Sequence, residues 1–145
     1  MKIKYFILFF LLTLKSFSQG IVVDTTSLSI PQLIRTVLMP NSCSNETNFV
    51  FSSRQGIGKF TNSNPSFPFS DGIIIRNGIA KYTEGTYTGL NLSSQLNNSG
   101  DPNLQVISNS SLQTGAITDV GFIQFDFTPI SSSFSFDFVF ASNEY

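Results

Sequence analysis

"GFIQFDFTPISSSFSFDFVFASNEY", residues Gly121 to Tyr145, is the stretch whose reading decides the fold. Ile123, Phe125 and Phe127 alternate with Gln124, Asp126 and Thr128. After "PISSS" the phase changes, so that Phe134, Phe136, Phe138 and Phe140 share one side and Ser133, Ser135 and Asp137 the other. A period of two places alternate side chains on opposite faces of a β-strand. The two runs are therefore expected as an antiparallel hairpin, or as adjoining sandwich strands, with the phenylalanines on the buried face. A two-residue Ser131-Ser132 turn would set Asp126 opposite Asp137, a destabilising like-charge pair, and Ser-Ser lacks the residues that tight hairpins favour. A four-residue loop from Pro129 to Ser132 puts Asp126 opposite Ser135 and Asp137 opposite Gln124, and this register is preferred. Seven phenylalanines lie between Phe122 and Phe140. At about 2 kcal/mol each when buried, they are expected to be a main source of core stability.

The rest of the chain suits that reading. Its 145 residues are enough for one domain with a core. Charged residues make up only 12%, and 16 Phe supply most of the aromatic content. Ser, Thr, Asn and Gly fill the gaps, a composition closer to an exported β protein than to a helical cytosolic one.

The first residues read as a signal peptide. Lys2 and Lys4 precede the apolar run "YFILFFLLTL", Tyr5 to Leu14, which is short for a bilayer span. Ser16 and Ser18 have signal-peptidase spacing, so residues 1–18 are assigned to the signal and 19–145 to the mature chain. A retained anchor is the alternative that the length opposes. Cys43 lies far from the cleavage point, which argues against a lipoprotein. The mature chain keeps five basic against nine acidic residues, a formal charge of −4. With no basic cluster, nucleic acid is not expected as a partner. Cys43 is the only cysteine, either buried and inert or paired with a residue beyond 145.

"SIPQLIRTVLMP", Ser29 to Pro40, predicts the one N-terminal helix. Ser29 and Gln32 stand at capping-box spacing, and Pro31 suits the first turn. Ile30, Leu33, Ile34, Val37 and Leu38 form the apolar stripe. "NFVF" (Asn48 to Phe51) and "DGIIIRNGIAKY" (Asp71 to Tyr82) read as strand-forming runs, with a turn at Asn77-Gly78 because Asn-Gly accepts positive φ at both positions. "TNSNPSFPFS", Thr61 to Ser70, reads as a loop whose Phe67 and Phe69 either pack, the preferred reading, or form a contact surface. "TGLNLSSQLNNSGDPNLQ", Thr88 to Gln105, reads as a long polar loop with Asp101 starting a turn. Sequons occur at Asn45, Asn91, Asn97 and Asn109.

The absence of His rules out a Ser-His-Asp triad, a Cys-His dyad and a His-ligated zinc. "GIGKFT", Gly56 to Thr61, lacks the third glycine of a dinucleotide fingerprint and reads as a loop before a strand. Asp101, Asp119, Asp126, Asp137 and Glu144 could in principle supply paired carboxylates, but their spacing singles out no acid and base. Calcium is the one cofactor the sequence keeps open, with Glu144 the best placed ligand and Asp119 and Asp101 behind it. The competing reading is a solvated or capping carboxylate.

The run from Asp119 to Tyr145 resembles the signature of the choice-of-anchor L domain of bacterial surface and secreted proteins. That family carries a strand ending Phe-Asp-Phe, a proline turn, and a second strand ending Phe-Ala-Ser-Glu-Glu-Tyr. "FIQFDFTPISSSFSFDFVFASNEY" is the matching stretch, and "SIPQLIRTVL", "GIGKF", "DGIIIRNGIA" and "GDPNL" occur upstream in the family's order. Asn143 departs from the pattern, leaving only Glu144 of the glutamate pair. The resemblance implies export, in gliding Gram-negative bacteria often through type IX secretion, and a role at the cell surface; it does not imply an enzyme. It also implies that residues 19–145 are the N-terminal portion of a longer domain.

The fold expected is mainly β: an incomplete antiparallel β-sandwich with one short N-terminal α-helix after a signal peptide. The function expected is a non-catalytic surface or secreted module of a larger multidomain protein. It would act by adhesion to a cell-surface, glycan or matrix partner, with no membrane span in the mature chain. The rival is a carbohydrate-binding or calcium-dependent accessory domain of an exported hydrolase. Lack of Trp argues against a sugar platform, though Tyr82, Tyr87 and Tyr145 could substitute.

Overall fold

The computed structural model describes residues 20–40, 44–85, 94–111 and 115–142. Residues 1–18, read above as a signal peptide, and Cys43, Tyr87, Asn91, Asn143, Glu144 and Tyr145 lie outside them. The described chain is mainly β, as expected, with five strands in two antiparallel sheets. Strands β1 (Ile21–Asp24), β3 (Ile57–Asn62) and β4 (Asp71–Ile75) form one sheet with β3 in the centre. Strands β2 (Asn45–Phe51) and β5 (Ile123–Thr128) form the other.

Between β1 and β2 lies helix α1 (Ile30–Leu33), which widens into a π-helical stretch, Ile34–Leu38. Its start is the expected capping box. The Ser29 N–H donates to Gln32 Oε1 at 2.8 Å, and the Gln32 N–H donates to Ser29 Oγ at 3.4 Å. Ile30, Leu33 and Ile34 are buried and Val37 is half-buried, whereas Leu38 leaves the stripe and is exposed. Ser29→Ala should cost about 1 kcal/mol of stability, read as a lower urea midpoint at unchanged m-value.

The three-stranded sheet is covered on both faces, which explains why Ile73 and Ile74, on opposite faces, are both apolar, whereas Ile75 at the strand end is exposed. On one face Val23, Phe60 and Ala80 form a core with Ile21, Ile74, Phe67 and Phe69. The last two come from the β3–β4 connection, which packs as expected: Phe67 meets Phe60 edge-on at 6.0 Å. Asn62 holds this loop, its Nδ2 donating to the carbonyls of Asn64 and Phe69. On the other face Ile57 and Ile73 meet Ile30 and Leu33 of α1, together with Phe49 of β2 and Ile123 of β5. Helix α1 is thus the element around which both sheets pack. The Arg54 guanidinium donates to the carbonyls of Leu28 and Ile57, tying the approach to α1 to the start of β3.

Four expectations are corrected. First, β5 pairs with β2, not with residues 133–141, so Asp126 stands opposite Thr47. Strand β2 offers what the later run lacks: Phe49 stacks on Phe125 at 5.8 Å, and Asn48 Nδ2 donates to Asp126 Oδ2 at 2.6 Å. A bulge between Thr47 and Val50 places Asn48 at φ 53°, a conformation Asn tolerates well, and so brings its amide to Asp126. Second, Phe134, Phe136, Phe138 and Phe140 do not line the core; they are 63–85% exposed. Third, "GIGKFT" is not a loop but the central strand β3, where Gly58 permits close approach of the β1 backbone. Fourth, the chain does bend at Asn77-Gly78, but without the positive φ expected at either residue. Gly78 instead packs against Ser94, and the chain enters a 3₁₀ turn, Ala80–Thr83. The end of the polar loop also runs into a second helix, α2 (Pro102–Ser110), with no buried residue.

Candidate functional site

Two kinds of site are offered by the described residues: carboxylates held by local hydrogen bonds, and an exposed aromatic row.

Asp101 is the N-cap of α2, its Oδ1 accepting from the N–H groups of Asn103 and Leu104 at 2.8 and 3.0 Å. The turn-starting role read from "GDPNL" is thus a helix-starting one. Asp119, at φ 57°, accepts with Oδ1 from the N–H groups of Leu96 and Asn98 at 2.8 and 3.3 Å. It pins the segment before α2 to the one after it. Glu144 lies outside the described residues. Among the described residues no group of three or more His, Cys, Asp or Glu is assembled as a cation site.

Two carboxylates that the sequence did not single out have structural partners. Glu46 is 5% exposed on β2; Arg35 Nε donates to its Oε2 at 3.1 Å, and Ser44 Oγ donates to its Oε1. The Ser44 hydroxyl and then the Arg35 guanidinium hold Glu46 below the usual carboxylate range, against its desolvation. The Arg35 guanidinium also lies 5.6 Å from the centre of the Phe49 ring. Glu84 closes the outer edge of β1. Its Oε1 accepts from the Val23 N–H at 2.6 Å and from Lys81 Nζ at 2.7 Å, while Lys81 donates to the Val23 carbonyl at 2.9 Å. One ion pair thereby satisfies both main-chain groups of an edge residue, which blocks strand addition there. No local pattern reveals this; "KYTE" reads only as a charged i,i+3 pair.

Desolvation raises Glu84, but the Lys81 hydrogen bond, the Val23 N–H and the Lys81 charge outweigh it and hold the group low. Asp24 is held lower still by Ser27 and Thr26. A carboxylate whose folded pKa is depressed stabilises above its unfolded value, about 4, and loses that contribution as pH falls through the folded value. The melting temperature should therefore be flat from about pH 7 to 5 and fall below about pH 4. Glu84→Gln should flatten part of that fall in a calorimetric series.

The aromatic row starts in the core and ends in solvent. Phe49 packs against the cluster of Ile30, Leu33 and Ile57 and stacks on Phe125. Phe125 meets Phe127 at 6.1 Å, Phe127 meets Phe134 edge-on at 5.0 Å, and Phe134, Phe136 and Phe138 follow at 6.5 and 6.2 Å. The last spacings match the two-residue repeat of a strand, about 6.6 Å. The segment is extended, yet from Pro129 to Ala141 it makes no main-chain ladder among the described residues. Phe138→Ser should change stability by less than about 0.5 kcal/mol, because the ring is exposed, and should reduce concentration-dependent light scattering.

No helix among the described residues is long and apolar enough to cross a membrane. Fold and surface together define a mainly β module that, among the described residues, presents a row of exposed aromatic rings. Residues 22–145 match the family model of the choice-of-anchor L domain, and the chain belongs to that family. Such domains are bacterial surface-associated modules and generally non-catalytic. No curated protein and no solved structure matches the chain.

Proposed function

We propose that the chain is a non-catalytic contact module exported to the surface of a Gram-negative bacterium, where it serves adhesion or matrix assembly as part of a larger multidomain protein. The observation that carries this reading is the run of exposed rings from Phe134 to Phe140, on a segment with no main-chain partner among the described residues. Large contiguous apolar patches are rare on soluble monomers and mark interaction sites when they occur. Family membership supports a surface setting, and the apolar run of residues 5–14 supports export by a cleaved signal.

The test is retention. Dye-labelled chain is incubated with whole cells and with extracted extracellular matrix, alongside a Phe136→Ser/Phe138→Ser variant. Saturable binding of the parent, reduced at least about tenfold in the variant, is expected. Equal retention of the two, or none of either, would overturn the reading.

A further inference from the structure

Strand β1 is an edge strand of the three-stranded sheet, and its sequence is Ile-Val-Val-Asp. An edge so rich in β-branched residues pairs readily with any extended chain that reaches its free N–H and C=O groups. The Val23 N–H and C=O face away from β3, and both are taken: the first by Glu84 Oε1 at 2.6 Å, the second by Lys81 Nζ at 2.9 Å.

The ion pair reproduces what a neighbouring strand would offer. The Glu84 carboxylate stands in for a strand carbonyl, and the Lys81 ammonium stands in for a strand N–H. Both groups come from outside the sheet, Lys81 from the 3₁₀ turn Ala80–Thr83 and Glu84 from the residue after it. An open cleft beside the edge is lined by Gly20, Ile21, Val22, Lys81, Glu84 and Gly85, so the two charged side chains reach into the space a strand would fill. Ala80 is buried in the core and anchors the turn independently of the pair.

We propose that Lys81 and Glu84 form an autoinhibitory guard, and that the strand they exclude is β1 of a second copy. The edge is complementary to itself. In an antiparallel pair centred on Val23, the two valines exchange both main-chain bonds, Val22 lies opposite Asp24, and Ile21 lies opposite Thr25. In a pair centred on Val22, Val23 bonds Ile21 of the other copy and Asp24 lies opposite Gly20. Neither register sets Asp24 against its own copy, and both need the Val23 groups that the guard occupies. Without the guard, β1 is free to join two three-stranded sheets into one continuous sheet. This goes beyond the contact-module reading and does not rest on it.

The test removes the guard in the full chain. Lys81→Ala/Glu84→Ala takes away one charge of each sign, so the net charge is unchanged. Sedimentation equilibrium should show self-association at least about tenfold tighter than the parent's. Adding Val22→Asp should abolish that gain. Val22 is exposed, and the new carboxylate falls opposite Asp24 in one register and opposite its own copy in the other. Hydrogen exchange supplies a second readout. The Val23 amide should be protected in the parent at every concentration, exchange freely in the dilute double variant, and regain protection as its concentration rises. Unchanged association, association that Val22→Asp leaves in place, loss of the far-UV spectrum in the double variant, or an unprotected Val23 amide in the parent would each overturn the inference.

Discussion

Leu33→Ala is expected to lower the unfolding free energy by about 3 kcal/mol, among the largest effects of any single truncation in this chain. Leu33 is fully buried in α1 and packs within the cluster that draws on β2, β3, β4 and β5. Removing its isobutyl group loses the transfer energy and leaves a cavity that neighbours on two sheets cannot both fill. Urea denaturation followed by far-UV circular dichroism measures the effect. The loss should exceed that of Ser29→Ala by about 2 kcal/mol, since the cap is exposed and the leucine is not. A loss under about 1 kcal/mol would mean that α1 is not the element joining the two sheets.

Gly58→Val should be comparably damaging for a different reason. In β3 a Cβ at residue 58 would lie 2.8 Å from the Asp24 carbonyl oxygen and 3.0 Å from Val23 Cγ1. The first neighbour is main chain within the β1–β3 ladder, so the strand itself must move. We expect a loss of about 3 kcal/mol, near the upper end for overpacking, with β1 amides losing hydrogen-exchange protection first. Gly72 of β4 is a graded control. A Cβ there meets the Phe60 ring at 2.7 Å, and a ring has more freedom to yield than a ladder. Gly72→Ala should therefore cost less than Gly58→Val, and equal losses would argue against a ladder-specific clash at residue 58.

The two losses fall on features of unequal legibility. The apolar stripe containing Leu33 and the cap at Ser29 are local patterns, visible at helical spacing. Gly58 gave no such signal. "GIGKFT" carries two glycines that suggest a loop, and only the approach of β1 on one side and β4 on the other makes it a central strand. Helix α2 was hidden for a related reason: it buries no residue, so its sequence shows no core-facing stripe. Its cap, Asp101, carries the sequence pattern of a turn starter, and the two roles share one hydrogen-bond geometry. Of the candidate ligands, Asp101 and Asp119 are both found bonding main-chain N–H groups, contacts that no spacing rule specifies.

By itself the sequence determined the class of fold, the capping box and buried stripe of α1, the alternation that makes Ile123–Thr128 a strand, the packing of Phe67 and Phe69, and the family. Only the tertiary structure decided which strand lies beside β5 and which rings are covered. Alternation states that a segment has an apolar face; it is silent about the edge that will pair and the surface that will meet that face. Those outcomes are competitions between distant segments. Here β2 pairs with β5, supported by the Phe49–Phe125 stack and the Asn48–Asp126 hydrogen bond, and the later phenylalanines lie in solvent.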